Sequence, residues 1–282
     1  MTFIINNSLR LLQNGKAVQR MPARVGHTNG RLNPTPRILI VHFTYGASAR
    51  SSAEWFQSPK NKHRSSAHAI VERDGSVIQC VDFNEGANHA GKSSWNGISS
   101  FNNKSFGLEL ANWGYLEGSG GNWTSYTNVA ISNPFLDVHK NGNPNGSKSP
   151  IGWERYPAVQ IDAAVEIARA VVDKYGVDTI LGHDDISKGW KWDPGPAFNM
   201  SRFRTMVFGD RAEMGPNVMT VSSPNDLNLR EGPGISFRII QSLPDGAKVE
   251  PVEQDGNWMM INLLDAQGRP AKSGWVHRSF LV

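Results

Sequence analysis

Arg37-Ile38-Leu39-Ile40-Val41-His42-Phe43-Thr44 is the stretch whose reading decides the fold. Its unbroken run of branched apolar residues has the density of a strand buried on both faces at the centre of a sheet. His42 falls at the carboxyl end of that strand, where ligand sites gather in sheets of this kind. Taken alone, a histidine there is an ordinary core residue hydrogen-bonded to a neighbour. A second segment changes that reading.

The segment runs Leu181-Gly182-His183-Asp184-Asp185-Ile186 and continues to Lys191-Trp192-Asp193-Pro194-Gly195-Pro196. Nine residues separate His183 from Asp193, and a loop of that length can fold both side chains onto one metal ion. Imidazole nitrogen and carboxylate oxygen are usual zinc donors, and a catalytic zinc needs three protein ligands and an open position. His42 supplies the third. Lys191 stands two residues before Asp193, and in extended chain such side chains face the same way.

Working outward, Ala67 to Gln79 reads as a hairpin turned at Asp74-Gly75. Residues 51–59 read as a short helix with Ser51 or Ser52 as N-cap and Pro59 ending it. Leu108-Glu109-Leu110 belongs to another strand. Residues 157–175 carry the clearest helical stripe (Ile161, Ala164, Val165, Ala168, Val171, Val172, Tyr175), with Pro157 in the first turn and Gly176 as the stop. Thr179-Ile180-Leu181 then delivers His183. Residues 1–30 read as an irregular lead-in with one short strand. The Gly-, Asn- and Ser-rich stretch 114–150 is either a flap over a groove or a surface insertion.

The 282 residues allow one large domain or two ordinary ones. With 39% hydrophobic and 19% charged residues, the chain can pack a core and stay soluble. No run approaches the ~20 apolar residues of a membrane helix, so no membrane insertion is expected. The first ten residues lack a basic n-region and an apolar h-region, and no secretory signal is expected. Cys80 is the single cysteine, so no intramolecular disulfide forms. It lies in a strand-like run and reads as a small buried thiol rather than a nucleophile. Up to residue 209 there are 22 Lys and Arg against 16 Asp and Glu; beyond it there are 7 against 9. The basic part either favours an anionic polymer or is ordinary solvated surface. No nucleic-acid motif is present. His27, His63 and His139 lie in polar loops and read as surface residues.

His42 after its strand, His89-Ala90-Gly91-Lys92-Ser93-Ser94-Trp95-Asn96-Gly97, Phe106-Gly107-Leu108-Glu109-Leu110, Gly182-His183-Asp184-Asp185-Ile186 and Lys191-Trp192-Asp193-Pro194-Gly195-Pro196 occur in that order. Together they resemble the zinc N-acetylmuramoyl-L-alanine amidases of the type-2 amidase family, over about residues 20–208. The resemblance implies an α/β domain with a mixed sheet flanked by helices. It also implies one Zn2+ held by His42, His183 and Asp193, and cleavage of the amide between the lactyl group of muramic acid and L-alanine. In that chemistry Glu109 is the candidate general base and Lys191 the candidate oxyanion cation. His89 and Trp95 resemble substrate-groove residues; Trp95 packs on a sugar face or supports its loop. His68 matches a family position and reads as support.

Gly209 to Pro216 reads as a linker between a domain of residues 1–208 and one of residues 217–282. From Val218 on, short strands and turns suggest a small barrel, and Leu227-Asn228-Leu229-Arg230 through Gly274-Trp275-Val276-His277 resembles a bacterial SH3-type domain. In that family the module commonly binds cell-wall peptide; its plainer role is a stabilising appendage. Trp258 and Trp275 are either aromatic anchors or core. The leading expectation is a monomeric, endolysin-like lytic enzyme acting on peptidoglycan in the bacterial cell wall. The alternatives are a cytoplasmic amidase that recycles soluble muropeptides, and a non-catalytic peptidoglycan binder. The stretch Ile98-Ser99-Ser100-Phe101 lacks an arginine that some recycling relatives carry.

Overall fold

The computed structural model describes residues 2–32, 34–209, 218–265 and 270–282. The chain divides into two compact units, Met1–Phe208 and Gly209–Val282. Beyond Gly209, the expected linker lies outside the described residues.

The first unit is built on six strands: β1 (Gln19–Arg20), β2 (Ile38–Phe43), β3 (Ala69–Val71), β4 (Val77–Gln79), β5 (Phe106–Leu110) and β6 (Thr179–Gly182). Their order in the sheet is β6-β2-β5-β3-β4-β1. Only the β3–β4 hairpin is antiparallel; the other pairs run parallel. The sheet is therefore mixed, with β2 buried one strand in from the β6 edge.

Strand alternation assigns the two faces. Leu39 and Val41 of β2 and Phe106, Leu108 and Leu110 of β5 pack with the long helix α2 (Ala158–Tyr175). Ile40 joins a separate cluster with Ala90, Phe101, Leu181 and Ile186 on the other face. His42 and Glu109 belong by alternation to that second face, away from α2. Pro157 precedes α2, and Gly176 ends it at φ 68°, a left-handed cap that costs glycine little. Gln160 is the polar residue in its buried stripe. Its amide donates to the carbonyls of Val71 and Ala111, just where β3 and β5 end.

Two expectations change. The helix expected over 51–59 is α1, Ala49–Gln57, capped by Ser48. Ser48 accepts from the Ser51 amide while Ser51 accepts from the Ser48 amide, a capping box written with serine at both ends. The first thirty residues are also more regular than expected. Phe3–Ile5, Leu11–Gln13 and Lys16–Ala17 form a three-stranded antiparallel sheet, and Thr28–Arg31 pairs with Glu85–Ala87. Phe3, Ile5 and Leu11 join the α2 core, and the buried Gln79 side chain accepts from the Leu11 amide and donates to the Leu9 carbonyl.

The second unit is all β: β7 (Met219–Thr220), β8 (Leu227–Arg230), β9 (Ile239–Leu243), β10 (Lys248–Asp255), β11 (Trp258–Leu264) and β12 (Pro270–His277), ordered β7-β10-β11-β12-β8-β9 with antiparallel neighbours throughout. Val221, Leu229, Leu243, Val249, Ile261 and Val276 centre its core. Trp258 and Trp275 alternate with core residues and stay half-buried outside it. Among the described residues, no helix is long and apolar enough to cross a membrane.

Candidate metal and active site

Register brings the site together. In β2 and β5, Glu109 lies directly beside His42, and β6 places Gly182 beside Val41. His42, Glu109 and His183 therefore stand at the carboxyl ends of three adjacent parallel strands. His183 opens a single helical turn, His183–Ile186, and the chain then loops to Asp193, whose carbonyl accepts from the Asp184 amide at 2.8 Å.

Three donor atoms converge there. His42 Nδ1 lies 3.0 Å from His183 Nδ1, and each lies 2.8 Å from Asp193 Oδ2. All three residues are buried. Donors bound tetrahedrally to zinc at about 2.0 Å stand roughly 3.3 Å apart, close to this spacing.

Tautomers test the fit further. His183 Nε2 faces the Ala90 carbonyl at 3.3 Å, which can only accept, so Nε2 carries the proton and Nδ1 presents a lone pair. His42 Nε2 faces His89 Nδ1 at 2.9 Å; His89 Nε2 reaches the Ser105 hydroxyl at 3.3 Å; that hydroxyl donates to the Phe101 carbonyl at 2.7 Å. Read from the carbonyl back, each group donates to the next and His42 keeps its proton on Nε2. Two imidazole lone pairs and a carboxylate oxygen then point at one spot. Without a cation such an arrangement is repulsive, and the residues fit a divalent metal. Outer partners of this kind fix the orientation of ligating histidines.

The electrostatics agree. Burial first, then His183, pushes His42 down to about 4, so its imidazole is neutral and ready to coordinate. Burial opposes ionisation of Asp193, but a proton on the facing nitrogen of His183 or His42 holds its carboxyl well below the usual range in the metal-free protein, and a bound cation would take that proton's place. Glu109 is pushed up to about 8 by burial, with the Asp193 carboxylate adding and the Lys191 ammonium opposing. Its Oε2 is buried with no hydrogen-bond partner. Lys191 is partly exposed, its ammonium 5.5 Å from the centre of the Trp190 ring, and its charge is felt by both His42 and Glu109.

Trp95 lies on a small hairpin opposite Ile98 and packs on the Ile40 cluster, as a residue supporting its loop does. His89, expected in the groove, is buried with both ring nitrogens engaged as above. Its ring rests on Gly107, where an added Cβ would come within 2.5 Å of it. Glycine inside a strand often marks such a close approach, and that signal, unused in reading the sequence, could have found the contact. His68 is buried too: its Nε2 donates to the Glu85 carbonyl, and its Nδ1 accepts from the Gly107 amide. His27 and His139, expected at the surface, are buried; His27 Nδ1 donates to the Phe56 carbonyl. His63 is exposed. The Cys80 thiol is pushed up to about 12 by burial and then by Glu109, which removes it as a nucleophile.

Residues 32–196 match the family described as N-acetylmuramoyl-L-alanine amidase, more than half of the chain. The chain belongs to that amidase family. Residues 225–282 match the bacterial SH3 domain. Among curated relatives, the 1,6-anhydro-N-acetylmuramyl-L-alanine amidase AmpD of Enterobacter cloacae is 33% identical over 142 residues, 50% of this chain and 57% of the relative. The N-acetylmuramoyl-L-alanine amidase AmiD of Escherichia coli is 27% identical over 169 residues, 58% of this chain and 51% of the relative. The chain thus spans little more than half the length of these relatives. A solved structure of Escherichia coli AmiD with anhydro-N-acetylmuramic acid-L-Ala-D-γ-Glu-L-Lys superposes with a TM-score of 0.45 at 23% identity, covering 62% of this chain and 59% of that one.

Proposed function

We propose that this amidase-family chain hydrolyses the amide between the lactyl group of N-acetylmuramic acid and L-alanine, with Zn2+ held by His42, His183 and Asp193. The observation that carries the reading is the convergence of two imidazole lone pairs and one carboxylate oxygen beside Glu109, whose Oε2 is buried without a hydrogen-bond partner. When bound, zinc supplies Lewis acidity, polarising a carbonyl and acidifying water. The chain's own groups do the rest. Glu109 accepts the proton of the attacking water and returns it to the departing L-alanine nitrogen. Burial keeps its affinity for that proton near neutral pH, where transfer in both directions is efficient. Lys191 offsets the negative charge that develops on the carbonyl oxygen. The Ile40 cluster, with Trp95 against it, excludes water from one side.

The name of AmpD, a 1,6-anhydro-N-acetylmuramyl-L-alanine amidase, supports a 1,6-anhydro-muramyl fragment as the substrate. That name supports the fragment-recycling alternative better than the leading expectation of an endolysin-like role. The lytic reading has one observation of its own, the SH3-type unit. Its outer face carries Trp258 against His277 at 5.4 Å and His277 against Phe280 at 6.0 Å, a strip that could pack on wall peptide.

Mass spectrometry of the products tests the chemistry. An anhydro-muropeptide should yield free anhydro-muramic acid and a peptide beginning at L-alanine, and a chelator should stop the reaction. Cleavage within the peptide, or none, would contradict the proposal. Parallel rates on purified sacculi decide between substrates. Trp258→Ala should lower sacculus binding and leave fragment turnover unchanged if the lytic reading holds.

A further inference from the structure

The segment His139-Lys140-Asn141-Gly142, in the stretch read from sequence as flap or insertion, touches the metal loop at both of its ends, next to His183 and next to Asp193. The Asn141 amide donates to His139 Nδ1 at 3.0 Å, so His139 carries its proton on Nε2, which donates to Asp184 Oδ2 at 3.0 Å. His139 and Asp184 are both buried. The Asn141 side chain donates to the Asp184 carbonyl at 2.7 Å. The Lys140 ammonium lies 3.0 Å from Asp184 Oδ1 and also pairs with Asp185. These contacts hold the residues that follow His183. At the other end of the loop, the Trp192 indole donates to the Gly142 carbonyl at 3.0 Å, next to Asp193. The segment is itself braced. The His139 amide donates to Asn143 Oδ1, and the Asn143 amide group donates to the carbonyls of Ser147 and Ser149.

We propose that residues 139–142 are a latch that fixes the spacing between His183 and Asp193, and that His139, Asn141 and Trp192 are positioning residues for the metal. The proposal rests on the zinc reading above. A loop of nine intervening residues has many conformations, and only those bringing the two donors within about 3 Å of each other bind zinc tightly. Closing that loop from outside moves the ordering cost from metal binding to folding. None of the three side chains is a ligand, so their effect is on affinity for the ion and not on the number of ions bound.

The test is zinc affinity, measured by competition with a chromogenic chelator on the full chain, with the melting temperature of the metal-free protein recorded beside it. His139→Leu leaves Asp184 Oδ2 buried without its donor, with Lys140 still beside Oδ1, and should weaken zinc by the 10–100-fold typical of outer partners. His139→Gln, which keeps an N–H at similar reach, should recover most of that loss. Trp192→Phe removes the indole N–H but keeps an aromatic ring in the cluster around Trp153, and should weaken zinc several-fold, more than any change in the metal-free melting temperature accounts for. If His139→Leu does not fold, Trp192→Phe and Asn141→Ala carry the test. Wild-type zinc affinity in the folded variants would overturn the latch alone. Absence of zinc binding by the wild-type chain would overturn the metal reading and the latch with it.

Discussion

The two units bury different things. The amidase unit has six buried histidines, His27, His42, His68, His89, His139 and His183, together with Asp184 and Asp193. Among the described residues, the SH3-type unit buries apolar side chains and one polar residue, Ser223, while its aromatic strip stays half-buried or exposed. Burying a polar group is tolerable only when each of its atoms finds a partner. Much of the amidase unit meets that demand through directed chains such as His42–His89–Ser105–Phe101; Glu109 Oε2 does not, and the donors converging at the unit's centre are where a metal would be the partner. A site that needs desolvated donors makes its unit's stability depend on protons and metal. An apolar core contributes no such dependence of its own.

The sharpest way to break this contrast is to remove a ligand. His183→Ala leaves two donors, and turnover should fall to background with zinc lost from the protein, as read by elemental analysis. Full zinc with full activity would remove the site from its assigned place. Next in size, Glu109→Gln keeps the shape and removes the base, and turnover should drop by about 10²–10⁴-fold. Lys191→Ala should cost about 10²–10³-fold, the range of one oxyanion donor. Both should retain zinc near the wild-type level.

Acid separates the two units. His68 is held at about 4 by burial, against 6.5 for a free imidazole, its backbone hydrogen bonds opposing. Above pH 6.5 neither folded nor unfolded chain binds this proton, and stability is full. Between pH 6.5 and 4 the unfolded chain takes a proton that the folded chain refuses, so stability falls as pH falls. By pH 4 the loss from this one group is on the order of 3 kcal/mol. Amide exchange on the metal-free protein should show protection in the amidase unit dropping across that window. Protection in the SH3-type core should stay level through the same window; parallel loss in both would erase the contrast. A smaller effect is expected of Gly107→Ala, whose methyl group must displace the His89 ring. With the outer partner of His42 moved, zinc affinity should weaken by about 10–100-fold, measured by chelator competition.

Much of the site could be read from sequence because each ligand belongs to a local pattern: His42 ends an apolar strand, and His183 and Asp193 bracket a short loop. The helix expected over 157–175, found at Ala158–Tyr175, and the all-β second unit follow from periodicity and turn residues in the same way, whereas the mixed sheet is implied only by the resemblance to the amidase family. What could not be read depends on orientation across distance. Nothing near His89 in sequence says that its ring turns inward to His42, 47 residues earlier, rather than outward to substrate. His139 sits in a polar loop, so composition places it at the surface; its burial comes from Asp184, 45 residues later. The strands of the first thirty residues are two to four residues long, too short to display alternation, and are held by partners far along the chain: the α2 core, the Glu85–Ala87 strand and the buried Gln79 side chain.

The central claim is that His42, His183 and Asp193 form one zinc site on which hydrolysis depends. The most direct measurement is a titration of the metal-free full chain with zinc, following anhydro-muropeptide cleavage and bound metal together. Activity should rise in proportion to bound zinc and level off at one ion per chain, and Asp193→Ala should show neither rise. Hydrolysis that proceeds without zinc, or that saturates with zinc bound to the Asp193→Ala chain, would contradict the account.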